Sequence, residues 1–356
     1  MMLGIFGPHA FFPRRSESPH KVYNVPYAPA ASPSLPRYGL AGRLPSLRLR
    51  GQVQHQRLAF ALALLAALLW GLLPLALWLL TPVLDTFTIT WCRFLFAAVV
   101  VGALLGRGGS LPRPWRLPAP LPALLLAAIV GVTINYTLFV VGVSLTSPAV
   151  AQVVSQLANL FLLFGGLIVF GERFSRRQWF GFAVLLAGLG LFFNRRLPLL
   201  FGLHAHEGFG VLLLLIGALT WACYGLAQKR LLRELSSAQT LWLLYVGAAL
   251  LLTPLVHPAR LQALSHAQAW ALVFCCFNTL IAYGAYAEAM KLGEVARVSA
   301  TVSISPLFTL LGVILAPAWL PAFASIATPD IPTLLGACAV VTGSSLCALG
   351  ADRAVI

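Results

Sequence analysis

Charged residues are scarce in this sequence. They make up 9% of the 356 residues, and only nine residues are acidic. Soluble globular domains carry roughly 25% charged residues, so this chain cannot cover most of its surface with groups that favour water. The mean hydropathy of +0.89 leads to the same conclusion. We therefore expect most of the chain to lie in a hydrophobic solvent.

The residue patterns of most catalytic and metal-binding sites are also missing. The six cysteines lie inside apolar runs and lack zinc-ligand spacing, and no His-Glu-x-x-His motif occurs. His204, His206 and Glu207 stand together, but in a polar break where a solvated loop is the simpler interpretation. We therefore predict no enzyme activity, no metal and no cofactor.

The basic residues of the chain have a specific distribution. A net charge of +15 could indicate a nucleic-acid partner. The basic residues, however, lie between the apolar runs and before the first one, as they do in membrane proteins of fixed orientation. We predict a lipid bilayer and no nucleic acid as the partner of this chain.

Residues 1–57 differ from the rest of the chain. They hold eight prolines, eight Lys or Arg residues and a single acid, Glu17, with no helical period of apolar residues. This composition predicts a disordered arm. The arm is consistent with a cytoplasmic tail, with translation from a misassigned start, or with an organellar transit peptide, and we favour the first two. A short tail, residues 351–356, ends the chain.

Long apolar runs alternate with short polar breaks from Leu58 onward. A helix needs about 20 residues to cross the hydrocarbon core of a bilayer, and these runs are too long and continuous for barrel strands. We predict an all-α membrane protein with ten transmembrane helices. The predicted spans are 58–80, 86–106, 121–143, 148–170, 178–193, 208–228, 238–256, 267–289, 295–316 and 332–350.

The breaks between these runs differ in their basic content. With the N-terminus in the cytoplasm, sixteen Lys and Arg residues from residue 43 onward fall on the cytoplasmic side. Only Arg195, Arg196 and Arg260 fall on the opposite side. The positive-inside rule predicts this asymmetry, and a wrong number of helices would scramble it. We expect both termini in the cytoplasm, and the composition suggests a bacterial inner membrane.

The two halves of the apolar region are related by a sparse repeat with an offset of 147 residues. Tyr136 matches Tyr283, and residues 160–165 match residues 307–312 at four positions. Each half holds five predicted helices, so the second half enters the membrane in the opposite orientation. The predicted units are a first repeat (58–194), a linker (195–207) and a second repeat (208–350).

Inverted repeats of this kind are common in secondary transporters. Two related halves of opposite orientation can exchange conformations, which opens one central site to each side of the membrane in turn. The alternative is that the duplication only builds a larger helix bundle. We favour the transport interpretation.

Three short motifs of the first half resemble a known family. They are Trp70-Gly71-x-x-Pro74, Arg93-Phe94 and Phe170-Gly171-Glu172-Arg173. With them, the first half is similar to an EamA-type domain of the drug/metabolite transporter superfamily, and the resemblance covers roughly residues 58–350. It implies tandem five-helix domains and the transport of metabolites, amino acids or drugs, mostly by export. The second half departs from the pattern, since it lacks the Gly-Glu-Arg ending.

Polar residues follow one face of the fourth predicted helix. Gln152, Ser155, Gln156 and Asn159 are spaced at i, i+3, i+4 and i+7. Facing lipid, each would lose its water at a cost of about 1–3 kcal/mol without compensation. These side chains must therefore line a wet cavity or bond to other helices, and we favour the cavity.

Other predicted helices contribute further candidates for a substrate cavity. Ser299 and Ser303 lie on the matching face of the ninth helix next to Pro306, whereas Ser305 lies off that face. Aromatic residues near the bilayer centre could stack on an organic substrate, but near the surface they serve as anchors. The remaining candidates are Trp70, Asn135, Tyr136, Trp221, Tyr224, Asn278 and Tyr283.

Arg93 is the one basic residue well inside a predicted span. It could hold a substrate carboxylate, extend to the outer surface, or pair with Asp85, and we favour a structural role. No acid lies near the middle of any span. Proton coupling through Glu288, at the inner end of the eighth helix, and uniport without an ion both remain open.

These features predict a secondary transporter that moves a small organic metabolite, such as an amino acid, by alternating access. Export is the direction that the family resemblance implies. A non-transporting membrane scaffold or receptor bundle is the alternative function, and a facilitative uniporter is the alternative mechanism. The sequence carries no signal for the oligomeric state.

Overall fold

The computed structural model describes most of the apolar region. Parts of the predicted arm, the Gly-Glu-Arg motif, the linker and the C-terminal tail lie outside the described residues. The chain divides into a unit of residues 1–55 and a unit of residues 56–356. The described residues are 45–170, 175–193, 205–292, 295–326 and 328–350.

The described residues form helices and no strands. Short 3-10 turns cover residues 114–116, 253–255, 258–263, 316–318 and 321–325. The α-helices are α1 (Pro45–Leu80), α2 (Thr86–Arg107), α3 (Leu121–Leu145), α4 (Pro148–Ser155), α5 (Leu157–Phe170), α6 (Arg176–Phe193), α7 (Ala205–Leu231), α8 (Ser237–Leu252), α9 (His266–Leu292), α10 (Val295–Val302), α11 (Ser305–Leu315) and α12 (Ile331–Gly350).

Eight helical segments among the described residues are long and apolar enough to cross a bilayer. The predicted fourth and fifth spans are not among them. The fourth is divided between α4 and α5, and the fifth corresponds to the 18-residue helix α6. An all-helical membrane protein is therefore confirmed, while the number of ten spans stays a prediction.

Helix α1 begins at Pro45, within the arm that we predicted to be disordered up to residue 57. This overlap of helix and predicted arm has a physical reason. Proline is tolerated in the first turn of a helix, where its missing N–H is not needed. Once a long span has formed, each preceding residue can join the helix without a new nucleation step.

The predicted fourth and ninth spans are both interrupted, at positions related by the 147-residue offset. Helix α4 covers 148–155 and α10 covers 295–302. At the first interruption the Gln156 N–H donates to the Val153 carbonyl at 3.2 Å. At the second, the Ile304 N–H donates to the Thr301 carbonyl at 3.2 Å. Both are tight i→i−3 turns between two helices.

Helices of the two predicted repeats pack against each other within residues 56–356. Helix α2 packs on α8 and α6 on α12, and both pairs join equivalent helices of the repeat. Helix α4, the first part of the fourth predicted span, packs on α11, the second part of the ninth. The interface between α6 and α12 is the closest of these. A Cβ added at Gly188 would lie 2.6 Å from the Val340 backbone nitrogen. Such close backbone contact through small residues is typical of membrane helices.

We predict that Gly188→Val destabilises the protein by about 1–3 kcal/mol, because the new side chain overpacks the α6–α12 interface. Gly190 lies on the same helix with open space at its Cβ position. Gly190→Val is therefore the matched control, and we expect it to behave like the wild type. The measurement is the thermal unfolding midpoint of the purified protein in detergent. Equal midpoints for the two variants would contradict this account of the interface.

Candidate functional site

A cavity of about 160 Å³ lies among the described helices. This volume is similar to that of a cavity that holds a benzene-sized molecule. Both predicted repeats contribute to its wall, and one charged residue, Arg93, is present in the lining. The lining consists of Trp70, Leu73, Arg93, Asn135, Tyr136, Phe139, Gln152, Ser155, Gln156, Ala158, Asn159, Leu214, Gly217, Ala218, Trp221, Tyr283, Val302 and Ser305.

The two interruptions meet at one side of this cavity. The Gln152 side-chain amide donates to the Ser305 hydroxyl at 2.8 Å, and the Gln156 amide lies 3.4 Å from the same oxygen. Ser305 is the first residue of α11, so these bonds join the break in the fourth span to the break in the ninth. Both glutamines are buried. The helix breaks are thus held by side chains that also line the cavity.

A second set of bonds extends this network to α12. The Ser344 hydroxyl donates to Gln156 Oε1 at 3.3 Å and lies 3.0 Å from the Ser303 hydroxyl. The Asn159 amide donates to Ser344 at 3.2 Å and lies 3.4 Å from Gln156 Oε1. Interhelical bonding and cavity lining were alternative interpretations of the fourth-helix stripe, and the geometry combines them.

Aromatic rings from three helices meet at Tyr283. The Trp70 and Trp221 rings lie 5.1 Å and 6.0 Å from the Tyr283 ring, measured between centroids. Tyr136, its repeat equivalent, stacks on it at 6.2 Å. Aromatic pairs at such distances are favourable in offset and edge-to-face arrangements. They give the cavity a wall with which an apolar or aromatic group can pack.

Arg93 is 1% exposed, although it is positively charged and lies in a membrane-spanning helix. Its Nε donates to the Thr279 hydroxyl at 3.0 Å. Its guanidinium carbon lies 4.8 Å from the centre of the Tyr136 ring, which is a cation–π distance. Among the described residues, no carboxylate lies within salt-bridge distance of Arg93. Its burial excludes extension to the outer surface.

The sequence model of the EamA-like transporter family matches residues 57–194 and again residues 208–347. The chain belongs to the EamA-like transporter family. The resemblance predicted from the short motifs is confirmed, and so is the prediction that the chain is not an enzyme.

Two curated relatives of this EamA-family chain are named as transporters, and a third is the protein RarD. An uncharacterized transporter of Haemophilus influenzae is 37% identical, over 83% of this chain and 96% of the relative. The uncharacterized inner membrane transporter YhbE of Escherichia coli K12 is 38% identical, over 83% and 93%. RarD of Salmonella typhi is 30% identical over 55% of this chain and 64% of its own length.

A solved crystal structure shares the fold of this EamA-family chain. It superimposes with a TM-score of 0.60 at 22% sequence identity and covers 83% of this chain and 98% of its own. At this level of identity the likeness concerns the fold alone. The family match and the eight long apolar helical segments support a multi-pass transporter embedded in the membrane.

The cavity brings together most of the residues that the sequence predicted. Gln152, Gln156 and Asn159 line it, and so does Arg93. The proposed pairing of Arg93 with Asp85 is wrong, because that carboxylate caps α2 and faces two basic side chains of another loop. The other predicted residues in the lining are Trp70, Asn135, Tyr136, Ser155, Trp221 and Tyr283.

Four predicted site residues lie outside the lining. Asn278 is 1% exposed and donates to the Leu69 carbonyl. It lies five residues before Tyr283 on α9, which places it about 140° from Tyr283 around the helix axis. Tyr224 is buried behind the Trp221 ring. Ser299 lies on α10 and Ser303 directly follows this helix; the Ser303 hydroxyl donates to the Ser299 carbonyl at 3.0 Å and lies 3.0 Å from the Ser344 hydroxyl.

Ser305 is the polar lining residue that the sequence analysis missed. We expect it to lie off the polar face if the ninth span is one continuous helix. The turn at residues 303–304 changes the register, and Ser305 begins a new helix that faces the cavity. Pro306 in the first turn of α11 was the available signal, since proline often begins a helix. The aliphatic lining residues carried no signal in so apolar a chain.

A polar cluster joins the α1–α2 turn to the loop between α8 and α9. Asp85 caps α2 by accepting bonds from the Thr88 N–H at 2.9 Å and the Thr88 hydroxyl at 2.8 Å. His257 Nδ1 and Arg260 Nη1 lie 3.5 Å and 4.0 Å from Asp85 Oδ2. Burial raises the pKa of the Asp85 carboxyl, but the Thr88 bonds and His257 outweigh it and lower the pKa overall.

We predict that Asp85→Ala lowers stability by about 1 kcal/mol at neutral pH, because α2 loses its cap. Asp85→Asn keeps the cap and should lose less. Because the pKa of Asp85 is lower in the folded state, its ionised carboxylate stabilises the fold above about pH 4, and this stabilisation is lost as the pH falls through the folded pKa. We expect Asp85→Asn to lack this acid-dependent loss. Unfolding midpoints between pH 3 and pH 7 measure both effects, and a wild-type midpoint for Asp85→Ala would refute the cap.

Proposed function

We propose that this EamA-family chain is a secondary transporter that moves a small organic metabolite, such as an amino acid or a related compound, by alternating access. In this proposal ten helices form two inverted five-helix repeats with both termini in the cytoplasm. The bacterial inner membrane is the proposed location, consistent with the name of the Escherichia coli relative. Export is the proposed direction, on the family resemblance.

The observation that carries this proposal is the cavity at the two interrupted helices. Its polar side combines residues 152–159 of the first repeat with Ser305 of the second. Helices broken within the membrane at a repeat interface are characteristic of substrate sites in secondary transporters. A scaffold that only holds helices together has no need for a cavity at this position.

The repeat geometry also supports alternating access. The interruptions fall at positions related by the same offset that relates Tyr136 to Tyr283. Equivalent helices of the two halves pack as pairs, which is expected when a two-fold relation lies between them. Two such halves can exchange conformations about a fixed central site.

Transport could be coupled to an ion or could run without one. Among the described lining residues, no carboxylate is present that could exchange a proton for substrate. This observation favours facilitated transport without an ion. A proton route through Glu288, outside the lining, is the coupled alternative.

The test is substrate flux in proteoliposomes, with pooled amino acids and common metabolites, with and without an imposed pH gradient. We expect Gln156→Ala to reduce flux at least tenfold, because the variant removes an amide that lines the cavity. Gln228→Ala makes the same change on α7 outside the lining and is the matched control. Flux that follows the gradient would indicate coupling, and flux without that dependence would indicate a facilitator.

Two results would count against the proposal. Normal flux in folded Gln156→Ala and Asn159→Ala would remove the cavity as the transport path. No flux for any pool, from wild-type protein that elutes as a single folded species, would favour the scaffold or receptor function. The unfolding midpoint of each variant separates loss of transport from loss of fold.

A further inference from the structure

Arg93 is the one charged residue in the cavity lining within the described residues. A guanidinium group carries its charge under all physiological conditions. Burying such a charge is costly unless an opposite charge or several hydrogen bonds compensate for it. The described side chains therefore compensate only a small part of the positive charge of Arg93 in this cavity.

The partners of Arg93 account for only part of its bonding capacity. The guanidinium has five N–H donors, and one of them, on Nε, bonds to Thr279. The Tyr136 ring faces the guanidinium with π electrons and supplies no negative charge. The nearby acid, Asp85, accepts two bonds from Thr88 and faces His257 and Arg260. The terminal nitrogens of Arg93 thus have no acidic partner among the described residues.

The rest of the lining limits what could fill this role. Tyr283, Trp70 and Trp221 form an aromatic wall, and Leu73 and Leu214 add aliphatic surface. The volume of about 160 Å³ admits a small organic molecule. No second cation lies in the described lining to compensate a multiply charged ligand.

We propose that the cavity binds a small organic monoanion, in its simplest form a carboxylate with an apolar or aromatic body, and that the Arg93 guanidinium holds the carboxylate. Arginine matches a carboxylate with two parallel N–H···O bonds, which are stronger than bonds between neutral groups. The bound anion supplies the charge that Arg93 lacks, and the aromatic wall packs against the body. This inference rests on the proposed transport function for its physiological meaning and names the substrate class.

The test compares pairs of ligands that differ in charge and share a shape. Binding of benzoate and benzamide, and of isovalerate and isovaleramide, is measured by calorimetry on the full chain in nanodiscs. We expect the wild type to prefer at least one acid over its amide by at least about tenfold. Arg93→Gln should abolish that preference, whereas a role limited to helix packing would change both affinities alike.

Two further variants keep the test decisive. Arg93→Lys retains a positive charge without the planar fork, so it should keep a reduced preference for the acid even if Arg93→Gln does not fold. Arg113→Gln removes an exposed loop arginine and should bind like the wild type. A wild type that prefers no acid in either pair, or a folded Arg93→Gln that keeps the preference, overturns the anion site.

Flux measured on the same preparations separates this inference from the transport proposal. Arg93-dependent binding of acids without flux of any compound would sustain the anion site and refute transport. Flux of neutral compounds by a wild type that prefers neither acid over its amide would sustain transport and refute the anion site. Arg93-dependent flux of acids supports both.

Discussion

The hydrocarbon core of a bilayer offers no hydrogen-bond partner, so every polar group placed there must be satisfied by the protein. An unbroken helix meets this condition with its own backbone, but a helix that breaks within the membrane does not. The described residues contain two such breaks, at Gln156 and at residues 303–304. Gln152 and Gln156 beside the first break bond to Ser305 and Ser344 of the opposite predicted repeat. These side-chain bonds link the two breaks and keep their polar side chains away from lipid.

The same condition explains where the cavity lies. The side chains at the breaks are amides and hydroxyls, and several of them line the cavity together with a wall of aromatic rings. Arg93 lies beside them, and Thr279 and the Tyr136 ring compensate part of its charge. A polar side, an apolar side and one cation within a single small space can recognise an amphiphilic molecule.

Much of the fold follows from the sequence because the bilayer imposes simple lengths and periods. Runs of about 20 apolar residues predict spanning helices. The i, i+3, i+4 and i+7 spacing places Gln152, Ser155, Gln156 and Asn159 on one face, and all four line the cavity. That argument assumes continuous helices, so it fails beyond the second break, where Ser305 was assigned to the wrong face. It also cannot distinguish Asn278, buried against the α1 backbone, from Asn135, which lines the cavity. Their difference depends on how neighbouring helices are rotated, and composition carries no record of that rotation.

The start of α1 shows a different limit. Composition alone favoured disorder up to residue 57, but the helix extends back to Pro45 because a long span lowers the cost of adding each further residue. Propensity read over a local window misses this cooperative effect. Pro306 indicated the interruption in one half, but the other half has no helix breaker: Gln156 occupies the turn, and Asn159 stands at the position that corresponds to Pro306.

The close contact between α6 and α12 has a mechanical consequence. Where the backbone of one helix touches the backbone of the next, as at Gly188 and Val340, no layer of side chains remains that could slide or change rotamer. The last helix of each predicted repeat is thereby joined to its counterpart as a single stiff element. A rocking motion of the two halves would take this joined pair as its fulcrum, and the helices farthest from the pair would travel the greatest distance.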